Sequence, residues 1–215
     1  MTESRERSRR GRVRMSSAER REQLIDVARR LFAERGYDQA SVEEIAARAE
    51  VSKPVVYEHF GGKEGLYAVI VDREVRTLLD VIRGSLSRGE DRELIESAAL
   101  ALLDYIETHT DGFRILARDS SVGTTGGSLA SVLGDVADRV SELLAPEFRR
   151  RKLDPKAAPI YAQMLVGMIA LTGQWWLDNR KPRKQDVAAH LVNLAWNGLR
   201  GLEAKPRLQG THDLS

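Results

Sequence analysis

The stretch "VEEIAARAEVSKPVVYEHFGGKEGL", residues 42–66, predicts two short helices joined by a tight turn. Ser41 is placed to cap the first helix, and Glu44 three residues later completes the pattern of a capping box. Pro54 lies in the first turn of the second helix, where a missing N–H is tolerated. Helices this short do not persist alone in water, because nucleation is costly. Neighbouring elements must therefore hold them in place.

The second short helix has one apolar face and one outward face. Val56 and Phe60 lie four residues apart, so they share a face and are expected to be its buried anchors. Pro54, Val55 and Glu58 then point away from the core. The apolar residues expected to brace the helix are Ile45, Ala46, Ala49, Leu31 and Phe32. The pattern predicts a helix-turn-helix unit, whose second helix is presented to the major groove of DNA.

The whole chain of 215 residues reads as all-α. Hydrophobic periodicity predicts further helices at 17–35, 63–86, 91–109, 112–120, 128–151, 155–180 and 184–203. We expect an N-terminal three-helix DNA-binding domain with a helix-turn-helix, followed by a C-terminal helical domain. The predicted divisions are a flexible basic arm at 1–16, the helix-turn-helix domain at 17–63, the C-terminal domain at 64–203 and a flexible tail at 204–215.

Composition and charge narrow the function classes. The chain has no cysteine, which excludes disulfides, thiolate metal sites and cysteine nucleophiles. Net charge is only +2, but residues 1–35 carry eleven arginines against six acidic residues. That excess points to a polyanion such as nucleic acid, although a solvated disordered tail has the same composition. The charged start resembles no signal peptide, and we expect a cytoplasmic protein.

The segment "LFAERGYDQASVEEIAARAEVSKPVVYEHFGGKEGLYAVI", residues 31–70, resembles the N-terminal domain of the TetR (tetracycline-repressor) family of bacterial transcription regulators. The order and spacing that carry the resemblance are Phe32, Gly36, Tyr37, the helix Ser41 to Ala46, Val51-Ser52-Lys53, Tyr57-x-His59-Phe60 and Lys63-Glu64-x-Leu66. The resemblance implies a DNA-binding N-terminal domain. It also implies a C-terminal part that dimerises and binds a small molecule.

The predicted DNA-binding residues are Ser41, Ser52, Lys53, Pro54, Val55, Tyr57, Glu58, His59 and Lys63. Pro54 and Val55 suit thymine methyls, and Lys53 suits guanine O6/N7 or a phosphate. The resemblance assigns Tyr57 and His59 to the sugar-phosphate backbone.

Other residues near the second helix have more than one interpretation. Lys63 and the Ser41 hydroxyl could contact phosphates, although Ser41 could act only as a cap. Glu58 could accept a hydrogen bond from the cytosine N4 amino group or face solvent. Three acidic residues, Glu43, Glu44 and Glu58, lie near a surface that is expected to be basic. The arginines of the arm, from Arg5 to Arg14, could follow the minor groove.

The segment "PIYAQMLVGMIALTGQWWL", residues 159–177, carries no formal charge. A membrane span is disfavoured, because Gln163 and Gln174 and several glycines or prolines interrupt it. We expect a helix buried in the core and against a second subunit, forming a four-helix interface with the 184–203 helices. The predicted interface residues are Gly167, Ala170, Gly173, Leu191, Leu194 and Ala195.

A ligand cavity is expected among the helices from about 64 to 177. Its candidate lining residues are Leu78, Ile82, Leu103, Ile106, Phe113, Leu116, Leu133, Met164, Met168 and Trp175. Each is also a good core residue, and ordinary core packing is the favoured interpretation for each. The shortage of charge in the set favours an apolar or amphipathic effector.

No pattern in the sequence indicates a metal, a cofactor or catalysis. The four histidines lack metal-ligand spacing, and "GTTGG" at 123–127 lacks the Lys-Ser/Thr of a phosphate loop, so a flexible loop fits better. The leading hypothesis is a homodimeric, sequence-specific repressor that binds double-stranded DNA at a pseudo-palindromic operator and is released by an effector. The alternatives are a constitutive or architectural regulator without an effector, and an all-α enzyme, which the missing acid/base or nucleophile constellation disfavours.

Overall fold

The structure is a computed structural model that describes residues 15–87, 89, 91–118 and 129–207. Every regular element in these ranges is helical, so the predicted all-α class is confirmed. The arginines predicted to follow the minor groove, the "GTTGG" loop and the tail beyond residue 207 lie outside the described residues. Packing divides the chain into two compact units, one ending at Val69 and the other beginning at Ile70.

The first unit contains α1 (Ser17–Arg35), α2 (Val42–Arg48), α3 (Lys53–Phe60) and the start of α4 (Lys63–Ser85). Ser16 caps α1 in a reciprocal capping box: its hydroxyl accepts from the Glu19 N–H at 3.2 Å, and its own N–H donates to Glu19 Oε2 at 2.7 Å. Gly36 ends α1 at a φ of 81°, as predicted for the residue after the last turn. The apolar face of α1 that forms the centre of the unit comprises Leu24, Ile25, Ala28, Leu31, Phe32 and Ala33.

The second unit contains the rest of α4, then α5 (Asp91–Thr108), α6 (Thr110–Arg118), α7 (Leu129–Arg150), α8 (Ala158–Asn179) and α9 (Lys184–Arg200). Helix α7 packs along α8, and α5 packs against α8 and α9. Buried residues on α5, α8 and α9 include Ala99, Leu103, Ile106, Ala162 and Val192, and Ala162 packs in one cluster with Ala137 of α7. The elements needed to enclose a cavity therefore all lie in this unit.

Most helix bounds lie within a residue of the sequence prediction, and three described bounds differ by two or three residues. α6 starts at Thr110 rather than 112, because only His109 separates it from α5. The His109 N–H donates to the Tyr105 carbonyl at 2.7 Å. The helix predicted from 155 is wrong at its start, where Asp154 caps a short 3-10 turn (Pro155–Ala157) before α8. α9 ends at Arg200, three residues early, because Gly201 caps it.

Candidate nucleic-acid interface

Helix α3 is anchored at one side chain. Val56 is fully buried, whereas Phe60, predicted to be the second anchor, is only half-buried and is covered by the Arg21 guanidinium 5.0 Å from its ring centroid. The turn before α3 is braced by Gln23 of α1, whose side-chain amide donates to the Ala49 carbonyl at 3.2 Å. Helices α2 and α3 are therefore held against α1 by apolar packing and by a few polar contacts.

Backbone contact fixes the other end of α3. Gly61 ends the helix in the left-handed region at a φ of 73°, with its N–H donating to the Tyr57 carbonyl at 2.8 Å. A Cβ built on Gly65 would lie 2.0 Å from the Phe60 carbonyl oxygen. Only glycine allows α4 to begin this close to the end of α3. The position of α3 is thus determined by backbone geometry as well as by Val56.

The outer side of α3 faces solvent. Ser52, Lys53, Pro54, Tyr57 and Glu58 are exposed, and Tyr57 retains 47% of its accessible surface. Two further predicted contact residues, Val55 and His59, are half-buried at the flanks. These seven residues form one continuous surface, which we call the reading face. A helix of this length with a free outer side has the dimensions needed to enter a major groove about 12 Å wide.

Lys53, at the start of α3, is paired with an acidic residue of α2. Its Nζ hydrogen-bonds Glu43 Oε1 and lies 5.8 Å from the centroid of the Tyr57 ring. The hydrogen bond to Lys53 lowers the pKa of the Glu43 carboxyl, and the same bond raises the pKa of Lys53. Both groups are therefore charged at neutral pH. Sequence reasoning noted Glu43 only as an acidic residue, because a ten-residue spacing across a turn carries no periodic signal.

Ser41 caps α2 as predicted, with its hydroxyl accepting from the Glu44 N–H at 3.1 Å. The return half of the predicted capping box does not form. The Glu44 carboxylate turns instead to Arg48 and Arg35, each at 3.0 Å. Arg48 is also bound to Glu34 at 2.8 Å, so α1 and α2 are joined by a network of exposed ion pairs.

Lys63 has internal partners at the start of α4. Its Nζ donates to the carbonyls of Tyr37 at 3.0 Å and Ala40 at 3.2 Å, and lies 4.2 Å from the centroid of the Tyr37 ring. An ammonium has three N–H donors, so one is left for the phosphate contact predicted from the sequence. The first role of Lys63 in the structure is to fix the segment between α1 and α2.

A cavity of about 710 Å³ lies within the second unit. Of the ten predicted lining residues, Leu78, Ile82, Phe113 and Leu133 border it. The other six do not: Leu103, Ile106 and Leu116 are buried elsewhere in the core, Met168 is half-buried outside the cavity, and Met164 and Trp175 are exposed. The face of α8 that does line the cavity carries Leu165, Val166, Ile169 and Ala170.

Sequence reasoning missed most of the α5 and α7 contribution to this cavity. The missed residues include Leu94, Ile95, Ala98 and Leu102 from α5, and Val132, Val136, Val140, Leu144 and Phe148 from α7. The three- and four-residue spacing in α7 was the available signal. At the rim stand Arg150, Arg151, Arg200, Asp91 and Glu147, so the lining combines an apolar interior with a charged edge.

Four of the six predicted interface residues are buried within the single chain. Ala170 borders the cavity, Leu191 and Ala195 are buried as α9 packs on α5, and a Cβ on Gly173 would lie 2.8 Å from Ile106 Cδ1. Gly167 is half-buried with no atom within 4 Å of a built Cβ, and Leu194 is 65% exposed.

The exposed apolar surface of α8 is a different set of residues. Ile160, Met164, Leu171 and Trp175, spaced by four, seven and four residues, lie along one side of the helix, and each keeps more than half of its surface. Together with Leu194 of α9 they form what we call the apolar stripe. Exposed apolar patches of this kind mark interaction sites.

The part of the chain that the structure describes contains no group of three or more His, Cys, Asp or Glu side chains able to hold a metal ion. Within the same residues, no helix combines the length and the apolar character needed to cross a bilayer.

A short exposed helix, clamped across a tight turn by two others, defines the chain as a helix-turn-helix DNA-binding regulator. It belongs to the TetR family: residues 24–70 match the family described as "Bacterial regulatory proteins, tetR family", and residues 92–198 match "Tetracyclin repressor-like, C-terminal domain". The resemblance found in the sequence is thereby confirmed.

Relatives and solved structures agree with this family. The chain is 34% identical over 190 residues to the HTH-type transcriptional activator FasR of Mycolicibacterium smegmatis, covering 86% of this chain and 85% of FasR. It is 29% identical to the nicotine-responsive transcriptional repressor HdnoR of Paenarthrobacter nicotinovorans, covering 84% and 96%. A TetR-like regulator from Rhodococcus sp. RHA1 superposes with a TM-score of 0.68 at 27% identity, covering 88% and 100%. These relatives are transcription regulators, not enzymes.

Proposed function

We propose that the protein is a homodimeric, sequence-specific repressor that binds a pseudo-palindromic operator and leaves it when a small effector occupies the second unit. The observation that carries the proposal is the reading face: the inner side of α3 is fixed by Val56 and by the Phe60–Gly65 backbone contact, and its outer side is free. A rigid helix with an unoccupied outer side suits groove recognition. DNA as the partner places the protein in the bacterial cytoplasm.

On the operator, the residues of the reading face divide by chemistry. Lys53, Pro54 and Val55 meet base edges at the start of α3, and Glu58 is placed to accept from a cytosine N4 amino group. The phosphate and sugar contacts fall to Tyr57, His59, Ser41, Ser52 and the remaining N–H of Lys63. Base contacts set sequence preference, whereas phosphate contacts set affinity and its salt dependence.

The apolar stripe supports dimerisation. Leu171 is 68% exposed, and Trp175 keeps 52% of its surface one turn away, which leaves large side chains uncovered in the single chain. A twofold interface uses the same patch on both subunits, so α8 and α9 from two chains would cover the stripe as a four-helix bundle. In such a dimer the two α3 helices would meet half-sites about 34–36 Å apart.

The cavity supports an effector with an apolar body and an ionic end. Its volume of about 710 Å³ falls in the range of small-molecule sites, roughly 300–1,000 Å³. The three arginines at the rim outnumber the two acidic residues, and Arg150 is held by Glu147. That balance favours an anionic amphipathic molecule. The relative HdnoR is named a nicotine-responsive repressor, so the name of one relative of this chain describes a response to a small molecule. An effector that binds more tightly to a conformation of the dimer with the wrong spacing between the two α3 helices would shift the population to that conformation. The affinity for DNA would then fall.

Selection of bound fragments from random duplex DNA tests the operator proposal. We expect an enriched pseudo-palindrome with half-sites one helical turn apart and an affinity that falls steeply with salt. Enrichment of a sequence without twofold symmetry would overturn the proposal that a dimer binds two half-sites.

Thermal unfolding with a series of straight-chain carboxylates tests the effector, because a ligand bound to the native state raises the midpoint. No rise across the series, together with unchanged operator binding, would favour a constitutive regulator.

A further inference from the structure

The reading face carries a coupled pair of opposite charges. Lys53 Nζ is bonded to one carboxylate oxygen of Glu43, Oε1, and both side chains are about half exposed or more, at 48% and 64%. This accounts for one of the three ammonium donors and one of the two carboxylate oxygens. Two N–H donors on Lys53 therefore stay available beside the Glu43 carboxylate, which also interacts with its own backbone N–H and keeps further acceptor sites.

One base pair presents the complementary pattern in the major groove. In a G·C pair, guanine offers two adjacent acceptors, N7 and O6, and cytosine offers the N4 amino donor beside them. O6 and N4 are themselves hydrogen-bonded in the pair, so they are about 2.9 Å apart. Lys53 Nζ and Glu43 Oε1 are likewise held next to each other by their hydrogen bond, so the ammonium and the carboxylate can face O6 and N4 together. We propose that Glu43 and Lys53 read one G·C pair in each half-site as a unit, with Lys53 on guanine and Glu43 on cytosine.

The same unit discriminates against the other base pairs. In T·A, the thymine O4 acceptor and the adenine N6 donor keep the order of O6 and N4, but the thymine methyl group takes the place of guanine N7, so Lys53 loses one acceptor. Against A·T, the ammonium would face the adenine N6 donor and the carboxylate would face the thymine O4 acceptor, so both contacts become repulsive. Against the reversed pair, C·G, the carboxylate would face the guanine acceptors. An A·T or C·G pair leaves both charges in the groove without partners, and that penalty gives the Glu43–Lys53 unit most of its selectivity.

Charge also explains why Glu43 would be tolerated there. A lone carboxylate beside phosphates is repelled, but the bond to Lys53 neutralises it in the free protein, where the pKa of Glu43 is lowered and that of Lys53 is raised. The cost is a smaller attraction to DNA of any sequence, since the pair contributes no net charge. Glu43 therefore lowers the affinity for DNA of any sequence and raises the preference for one base pair. This inference rests on the proposed operator binding.

Removing the pair should leave the first unit folded. Ion pairs with this exposure contribute little to stability, and neither Glu43 nor Lys53 belongs to the buried core. The test therefore uses Glu43→Ala and Lys53→Ala. Glu34→Ala is the matched control, because Glu34 is also an exposed acid in an ion pair, with Arg48, and its removal changes net charge by the same amount without touching α3.

The experiment repeats the selection from random duplex DNA with the full-length wild-type protein and the three variants, followed by binding to single-substitution operators. We expect the wild type to prefer G·C at one position of each half-site, with T·A the least unfavourable replacement. Glu43→Ala and Lys53→Ala should each relax that same position by about tenfold or more, with other positions unchanged. Glu43→Ala should also bind unrelated duplexes more tightly, whereas Glu34→Ala should keep the wild-type base preference.

Two results would overturn the inference and leave the proposed function intact. In the first, Glu43→Ala enriches the wild-type operator with every base preference unchanged. In the second, Glu43→Ala and Lys53→Ala relax different positions. If the wild-type protein enriches no sequence at all, the proposed operator binding itself fails. The wild-type selection thus separates the two failures.

Discussion

Tyr105 donates a hydrogen bond of 2.9 Å to Oε2 of Glu74, which, at 6% exposure, is the one buried charged side chain among the described residues. The carboxylate lies on α4, the phenol on α5, and Gly112 of α6 lies directly beneath. A Cβ on Gly112 would be 2.0 Å from the same carboxylate oxygen. Three helices of the second unit therefore meet at one buried polar group.

We predict that Gly112→Ala destabilises the protein by about 1–3 kcal/mol, because the added methyl group must displace a buried side chain that Tyr105 holds. Gly134→Ala is the control: it also lies inside a helix, but nothing is within 4 Å of its built Cβ. That change should stabilise by about 0.5–1 kcal/mol through helix propensity. Urea unfolding measures both. Equal stability of the two variants would contradict the close contact seen at Glu74.

The contact between Gly65 and the Phe60 carbonyl gives a second prediction. An alanine at 65 meets backbone rather than a movable side chain, so α3 or α4 must shift. We expect Gly65→Ala to lower operator affinity by at least tenfold, because displacement of α3 disturbs every groove contact at once. Gly84→Ala, at an open position of the same helix, should leave affinity unchanged.

Fluorescence anisotropy with a labelled operator measures the affinity of both α4 variants, and circular dichroism shows whether each remains helical. A Gly65→Ala protein that binds as tightly as the wild type would show that the end of α3 does not depend on this backbone contact.

The first unit was predictable because local signals agree with its packing. The caps at Ser16 and Ser41, the stop at Gly36 and the anchor at Val56 each lie within a few residues of the element that they define. Local sequence preferences of this kind agree with the folded structure. The pairing of Lys53 with Glu43 was not predictable, since it depends on how α2 crosses α3 and not on any period in the sequence.

The faces of α8 were not predictable for a different reason. Nearly every residue from 159 to 177 is apolar or small, so hydrophobic periodicity cannot indicate which side faces inward. Small residues predict the close approach of a partner helix, but the missing side chain at Gly173 makes room for Ile106 of its own chain. Met164 was expected in the cavity and is exposed, while Val166, two residues later, borders it.

The cavity gives a third prediction. The anionic amphipathic dye 1-anilinonaphthalene-8-sulfonate should bind it and raise the unfolding midpoint, by an amount that corresponds to about 2.7 kcal/mol at a hundredfold excess over Kd. Leu133→Trp should weaken this effect, because a larger side chain would occupy part of the 710 Å³. Ala130→Trp, exposed on the same helix, is the control and should behave as the wild type.

Dye titration and thermal unfolding are measured on all three proteins. An equal midpoint rise in Leu133→Trp and the wild type would place the dye outside this cavity.

The apolar stripe gives the last prediction. Leu171→Arg places a charge in the middle of the proposed interface, where a twofold contact would bring two such charges together and bury them unpaired. We expect sedimentation to show a monomer that keeps its helical content, since Leu171 is 68% exposed in the single chain and its replacement opens no core.

The monomer should bind a single half-site as the wild-type subunit does but lose the preference for two half-sites at fixed spacing, because the second contact is no longer tethered to the first. Asp138→Arg, at an exposed position of α7, introduces the same side chain away from the stripe and should remain dimeric. A Leu171→Arg protein that sediments as a dimer and retains the spacing preference would place the subunit contact on another surface of the second unit.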